Sequence, residues 1–218
     1  MVSTLSMVRR EAGFSVAELL IGMLISSLTM TAAVVMTDQV SRSYTAQLDD
    51  AVIQEEARYA LSWIEDALRS AGSNPYGALT TDCPMVGTVV QGLQRDPAGD
   101  GVMDDIRIMG DINPPNSRVG GSPCGADLGE DVTIAHDVVN RTIVRQDNAA
   151  GGAPVPMSDA VVTALRFTYL DINRAPVLDD AQVAYVGVLV TTQAPNRDRQ
   201  TGLRTSYTLT SEVRVRSR

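Results

Sequence analysis

The chain begins with a short polar stretch that gives way to an unbroken apolar run. The run extends from Phe14 to Met36, FSVAELLIGMLISSLTMTAAVVM, and Glu18 is its single charged residue. At a rise of about 1.5 Å per residue, an α-helix of this length spans about 35 Å, which exceeds the roughly 30 Å hydrocarbon core of a bilayer. The pattern therefore predicts one N-terminal membrane helix.

The apolar pattern continues past this run but becomes one-sided. From Val40 to Ala71, apolar residues recur at steps of four, with one step of seven after Val52, which is typical of an amphipathic helix. This stripe comprises Val40, Tyr44, Leu48, Val52, Tyr59, Trp63, Ala67 and Ala71, with Ala51, Ala60, Ile64 and Leu68 beside them. No proline interrupts the region, so we expect a single helix from Phe14 to Ala71, capped by Gly72, with Pro75 preventing its resumption.

Short β-prone runs separated by turn-rich stretches follow Gly72. The predicted strands are 86–93, 105–109, 132–136, 142–145, 161–170, 183–192 and 205–216. Alternation within the run 161–170 places Leu165, Phe167 and Tyr169 on one face. The sequence thus predicts an α+β fold, in which the stripe covers the apolar face of one antiparallel sheet whose other face is wet.

Composition limits the classes of function. The 218 residues suffice for one compact domain and one long additional element. With 26 acidic and 18 basic side chains, the net charge is −8, so we expect no nucleic-acid partner. The two cysteines, Cys83 and Cys124, form no CxxC motif; in an exported domain they predict a disulfide, with two buried free thiols as the alternative.

The charges around the apolar run indicate its orientation and its fate. Arg9 and Arg10 precede the run, so the N-terminus should stay cytoplasmic and the rest should be exported. A signal peptide cleaved near Ala33 and a generic signal anchor are two alternatives. Glu18 counts against both, since a charged carboxylate in the helix centre costs about 2.5–3.5 kcal/mol on insertion scales and is usually kept because it has a partner.

The junction before the run resembles the processing motif of type IV prepilins. The motif is Gly13-Phe14 followed by Ser15-Val16-Ala17-Glu18-Leu19-Leu20. The resemblance implies that a prepilin peptidase cuts after Gly13 and methylates Phe14. It also implies that the new ammonium group of Phe14 neutralises Glu18 of a neighbouring subunit and sets the register of assembly.

Several later segments resemble PilW-like minor pilins. These are QEEARYAL (54–61), LRSAG (68–72), VTALRFTYLD (162–171) and SEVRVR (211–216). The resemblance implies a type IV pilin fold and a minor pilin that helps to initiate the pilus near its tip. Its expected partners are other major and minor pilins, a tip adhesin and the inner membrane. J-type pseudopilins of type II secretion systems share the leader and spine and are the nearest alternative.

The resemblance also implies four segments. These are a leader (1–13), a membrane and filament-core helix (14–36), an amphipathic helix (37–72) and a periplasmic β-rich domain (73–218). A membrane-anchored periplasmic enzyme or binding module is an alternative of another class. No phosphate loop or hydrolase elbow occurs, so we expect no enzymatic activity.

One acidic run has the composition of a metal site. It contains Asp96, Asp100 and Asp104, which could hold calcium as the only expected cofactor. The run is not an EF-hand, because Ala98 and Arg107 occupy the third and twelfth positions, where carboxylates are needed. A solvated acidic turn between strands is the alternative.

Overall fold

The structure is a computed structural model that describes residues 14–73, 92–110, 128–197 and 202–215. Within these ranges the chain forms one long helix, α1 (Val16–Ser70), followed by eight strands. The strands are β1 (Leu93–Arg95), β2 (Asp105–Met109), β3 (Asp131–Asp137), β4 (Thr142–Asp147), β5 (Val155–Pro156), β6 (Val162–Leu170), β7 (Tyr185–Gln193) and β8 (Ser206–Arg214). The predicted α+β layout, a long N-terminal helix with antiparallel strands after it, is confirmed.

The ends of α1 follow from its local sequence. Ser15 caps the N-terminus, because its hydroxyl accepts the N–H of Ala17 at 3.3 Å and its carbonyl accepts the N–H of Leu19 at 3.1 Å. At the other end Gly72 takes a φ of 69°, in the left-handed region that glycine adopts without strain. The prediction of one helix ending before Gly72 is confirmed.

The chain divides into two compact units, Met1–Gln47 and Leu48–Arg218, and α1 contributes to both. In the first unit every described side chain is exposed. The most apolar 18-residue window of α1 has a mean hydropathy of 2.1 and is 0% buried. Among the described residues α1 alone is long and apolar enough to span a membrane, and its exposure separates this window from the buried core helix of a soluble protein.

The second unit contains two antiparallel sheets, so the prediction of a single sheet is wrong. One sheet has the order β1-β2-β3-β4-β5 and the other has the order β6-β7-β8. Isolated backbone hydrogen bonds connect them, from Val162 N–H to Arg141 O at 2.9 Å and from Phe167 N–H to Met103 O at 2.8 Å. Which strands pair is decided by long-range packing, which alternation within a strand does not report.

The strands themselves agree better with their sequences. Strand β2 has the predicted bounds, and β6 buries Leu165, Phe167 and Tyr169 on one face as predicted. Strand β5 lies in a stretch predicted to be a loop. Most of the predicted strand 86–93 lies outside the described residues.

The helix stripe that covers the sheets differs from the predicted one. The buried residues of its last turns are Ile53, Ala57, Ala60, Leu61, Ile64, Leu68 and Ala71. Ala60, Ile64, Leu68 and Ala71 belong to the predicted stripe, whereas its members Leu48, Val52 and Tyr59 are exposed by 48%, 46% and 54%. At about 100° per residue, Val52 lies about 100° around the helix from the buried Ile53, and Tyr59 lies as far from Ala60, so both are off the buried face.

From Ala60 to Ala71, the buried helix residues join one apolar cluster with side chains of both sheets. Its largest fully buried members include Phe167, Ile64, Leu68, Ile106 and Ile134. Trp63 packs at the edge of the same cluster, half-buried. The core of the second unit therefore lies between the C-terminal turns of α1 and the two sheets.

Two glycines allow the end of α1 to approach the first sheet closely. A Cβ at Gly110 would lie 2.3 Å from the carbonyl oxygen of Ser70, and one at Gly92 would lie 2.1 Å from the nitrogen of Gly72. The backbone bond from Gly72 N–H to Met109 O, at 2.9 Å, ties the helix end to β2.

A carboxylate of α1 also binds a turn of the second unit. The N–H of Asp159 donates to Glu56 Oε1 at 2.9 Å. Burial raises the pKa of Glu56, and the nearby carboxylates of Asp159 and Glu55 raise it further, while the bond from Asp159 N–H lowers it. The charged form of Glu56 is therefore disfavoured by folding.

We expect Gly110→Ala to destabilise the chain by about 1–3 kcal/mol, the usual range for overpacking, because the added methyl meets rigid backbone. Gly152→Ala is the matched control, since a Cβ there has nothing within 4 Å. The stability of both variants is measured by urea unfolding of the full chain in detergent, followed by the fluorescence of Trp63, the sole tryptophan. Equal midpoints for the two variants would contradict the close contact.

We expect Glu56→Gln to stabilise the chain at neutral pH but not in acid. A raised folded pKa gives stability that is present below the ordinary value and is lost as pH rises through the folded value. Glutamine keeps the acceptor for Asp159 and carries no charge. Unfolding midpoints measured from pH 3 to 7 should converge for the two proteins at the acid end and separate above about pH 4.5. A constant difference at all pH values would refute this account.

Candidate functional site

The first candidate site is a face of α1 at its N-terminus. Phe14, 82% exposed, precedes the helix, and Glu18 lies in its first turn. The two line a shallow groove together with Leu19, Gly22, Met23 and Ser26. A Cβ at Gly22 would meet nothing within 4 Å. The glycine therefore leaves open space beside Glu18, and no described residue of the chain fills it.

The carboxylate of Glu18 has no ion pair or hydrogen bond with any residue that the structure describes. Its backbone N–H donates to Ser15 O at 3.0 Å. The position near the helix N-terminus favours a negative charge by about 0.3–1 kcal/mol. This is less than the roughly 2.5–3.5 kcal/mol that a charge costs inside hydrocarbon, so in a membrane Glu18 needs a further partner.

Between Ser27 and Thr45, five side-chain hydroxyl groups of α1 donate hydrogen bonds to the backbone of the same helix. Each donates to a backbone carbonyl three or four residues earlier, at 2.8–3.0 Å. The donors are Ser27, Thr29, Thr31, Thr37 and Thr45. Because these donors do not require water, the helix is suited to apolar surroundings in spite of its hydroxyl content.

Other predicted site residues fall outside the described ranges. Gly13, the residue before the predicted cleavage point, is one of them. Cys83 and Cys124 are the other two, so the predicted disulfide stays a prediction.

The second candidate site is the loop between β1 and β2, and Asp96 organises it. Its carboxylate accepts the N–H groups of Gly99 at 2.8 Å, Asp100 at 3.1 Å and Gly101 at 2.8 Å. Both glycines have positive φ angles, 72° and 81°. Asp100 Oδ1 accepts the N–H of Val102 at 2.8 Å. The loop is therefore folded around carboxylates that the sequence singled out.

Asp105, at the start of β2, is a carboxylate that is not among the predicted calcium ligands. It is only 5% exposed. Its Oδ2 accepts the N–H of Ala98 at 3.0 Å, whereas Oδ1 is buried and has no partner among the described residues. The signal in the sequence is a carboxylate at the start of the strand DIRIM, directly before the buried Ile106.

The surroundings of Asp105 disfavour its negative charge. Burial is the main cause of its raised pKa, the N–H of Ala98 lowers it, and the carboxylates of Asp96, Asp104 and Asp100 raise it further. The arginines of the flanking strands are paired elsewhere: Arg95 with Asp180, and Arg107 with Asp131. Neither of these two cations forms an ion pair with Asp105.

An aromatic side chain closes the inner side of this loop. The hydroxyl of Tyr169 lies 3.5 Å from Asp105 O, and burial raises its pKa. The guanidinium carbon of Arg95 lies 5.6 Å from the centre of the Tyr169 ring. The tyrosine is thus held close to the acidic loop.

As the loop is arranged, no three Asp, Glu, His or Cys side chains in the described ranges converge closely enough to hold a metal ion by themselves. Asp100 is exposed and Asp104 is half-buried, so both can change rotamer at the surface. The predicted calcium site is left as a proposal.

Comparisons with protein-family models, with curated proteins and with solved structures found no match for this chain.

Proposed function

We propose that the chain is a minor type IV pilin-like subunit that is cleaved after Gly13, methylated at Phe14 and incorporated at or near the tip of a pilus. One observation carries this proposal: Glu18 is an unpaired carboxylate, within the described residues, on an exposed apolar helix. It lies four residues after the residue that cleavage would make the N-terminus.

Cleavage would supply the missing partner of Glu18. An α-amino group has a pKa of about 7.7–8.0, so the new N-terminus at Phe14 would be largely an ammonium ion at neutral pH. Paired with Glu18 of a neighbouring subunit, it would neutralise the charge inside the membrane. Losing one member of a buried pair costs about 3–5 kcal/mol, because the other stays charged and unpaired. This energy can fix the axial register of subunits.

The groove around Glu18 supports close approach of a second helix. Small residues at helix interfaces in membranes let backbones come together, and Gly22 leaves open space one turn after Glu18. Because no described residue of the chain occupies this space, a neighbouring helix can enter it without displacing any of their side chains.

The proposed location is a single pass through the bacterial inner membrane before assembly. Arg9 and Arg10 favour a cytoplasmic N-terminus, with the β-rich domain in the periplasm. A type II secretion pseudopilin would have the same topology and the same Glu18 chemistry. The PilW-like segments favour the pilus, with the peptidase, other pilins and a tip adhesin as partners.

The intact mass of the membrane-extracted chain tests processing. With an active prepilin peptidase we expect the loss of residues 1–13 and the gain of one methyl group; without it, the chain should keep its full length. A mass corresponding to a cut near Ala33 would instead identify a cleaved signal peptide. An uncut chain in both strains would indicate a membrane-anchored module and refute the proposal.

Replacement of Glu18 tests assembly separately from processing. We expect Glu18→Gln to be cleaved normally but to enter sheared filaments at least about tenfold less, because each 1.4 kcal/mol of lost pairing is tenfold in an equilibrium. Glu55→Gln, an exposed carboxylate of the same helix, is the control and should assemble normally. Quantitative blotting of sheared filaments measures both. Normal incorporation of Glu18→Gln would argue against a pilin.

A further inference from the structure

The loop 96–105 carries a second inference, which does not depend on the proposed function. We propose that this loop binds Ca²⁺, with Oδ1 of Asp105 and the carboxylates of Asp100 and Asp104 as ligands and Asp96 as the residue that holds the loop in shape. The sequence indicates Asp96, Asp100 and Asp104. Asp105 is the ligand that the structure adds.

The strongest indication is the orphaned oxygen of Asp105. A buried acceptor without a hydrogen bond is costly, and native structures rarely keep one without a reason. The bond from Ala98 N–H to Oδ2, at 3.0 Å, holds this carboxyl group against the loop. Oδ1, on the same carbon, is therefore also next to the loop, buried and without a partner among the described residues.

The electrostatics of the loop favour a cation as the missing partner. Asp96, Asp100, Asp104 and Asp105 belong to one loop, whose backbone N–H groups are held by the Asp96 carboxylate and by Oδ2 of Asp105, so four like charges that repel one another share it. The arginines of β1 and β2 are committed to other carboxylates. A divalent cation would offset this repulsion and supply the partner that Oδ1 lacks.

The donor set selects calcium among the common metals. All the side-chain ligands offered are carboxylate oxygens, which suit hard cations and not zinc or copper. Calcium accepts six to eight oxygens in flexible geometry, including backbone carbonyls and water, whereas Mg²⁺ requires a near-ideal octahedron. An irregular loop that supplies few side chains therefore fits calcium best, with water completing the coordination.

Terbium luminescence tests the site in the full chain in detergent, because Tb³⁺ occupies calcium sites and Tyr169 lies close enough to sensitise it. We expect saturable emission on Tb³⁺ addition, reversed by Ca²⁺ with a Kd of about 10⁻⁴–10⁻³ M, the range of extracellular modules, and much less by Mg²⁺. Asp100→Asn should weaken Ca²⁺ binding at least about tenfold. Asp159→Asn, an exposed carboxylate outside the loop, is the matched control.

Thermal unfolding tests the role of Asp105 in the same preparation. Ca²⁺ should raise the Tm of the wild type and of Asp159→Asn, but not that of Asp105→Asn. In chelator, Asp105→Asn should be at least as stable as the wild type, because it removes a buried charge. Equal Ca²⁺ affinity in Asp100→Asn and Asp159→Asn would overturn the site. A full Ca²⁺ response in Asp105→Asn would overturn the assignment of Asp105; if that variant does not fold, the Asp100→Asn titration decides.

Discussion

The packing of the C-terminal turns of α1 against the two sheets is the contact on which the second unit depends. Buried residues from Ala60 to Ala71 join buried side chains of both sheets in one cluster, and each fully buried Ile, Leu or Phe contributes about 1.5–3 kcal/mol. The end of the helix is fixed lengthwise as well, by the bond from Gly72 to Met109 and by the backbone contact at Gly110. A shift along the helix axis would break both.

The parts of the fold that follow from local rules were predictable, and those that depend on distant packing were not. The length of α1 and the bounds of β2 follow from periodicity and from turn residues. Periodicity also predicts a helix stripe, and Ala60, Ile64 and Leu68 of that stripe are buried, but the stripe included Tyr59, which lies about 100° around the helix from Ala60 and is exposed. The division into two sheets arises because β6, which follows β5 after residues 157–161, pairs with β7 and not with β5, and no local pattern in the sequence encodes that choice.

The two candidate sites also differ in how far the sequence alone predicts them. Glu18 stands out in the sequence because it is a lone charge in an apolar run, a property that needs no tertiary structure to detect. Asp105 was visible only as one of several acidic residues. Its distinction, a buried oxygen without a partner, arises because β2 carries it under the loop while Ala98 holds its other oxygen. Burial and hydrogen-bond partners depend on tertiary structure, so the sequence indicates Asp96, Asp100 and Asp104 instead.

Glu18 and Asp105 follow one electrostatic rule in two different settings. Glu18 has no ion pair among the described residues and Asp105 has a buried oxygen without a partner there, and a carboxylate removed from water is costly unless a cation pairs with it. The cations that we infer are an ammonium group that exists only after proteolysis and a divalent ion for which the loop's expected affinity suits extracellular concentrations. Neither partner would be available to a newly made, unprocessed chain in the cytoplasm. The same two carboxylates would therefore delay completion of the structure until the chain reaches the membrane and the compartment beyond it.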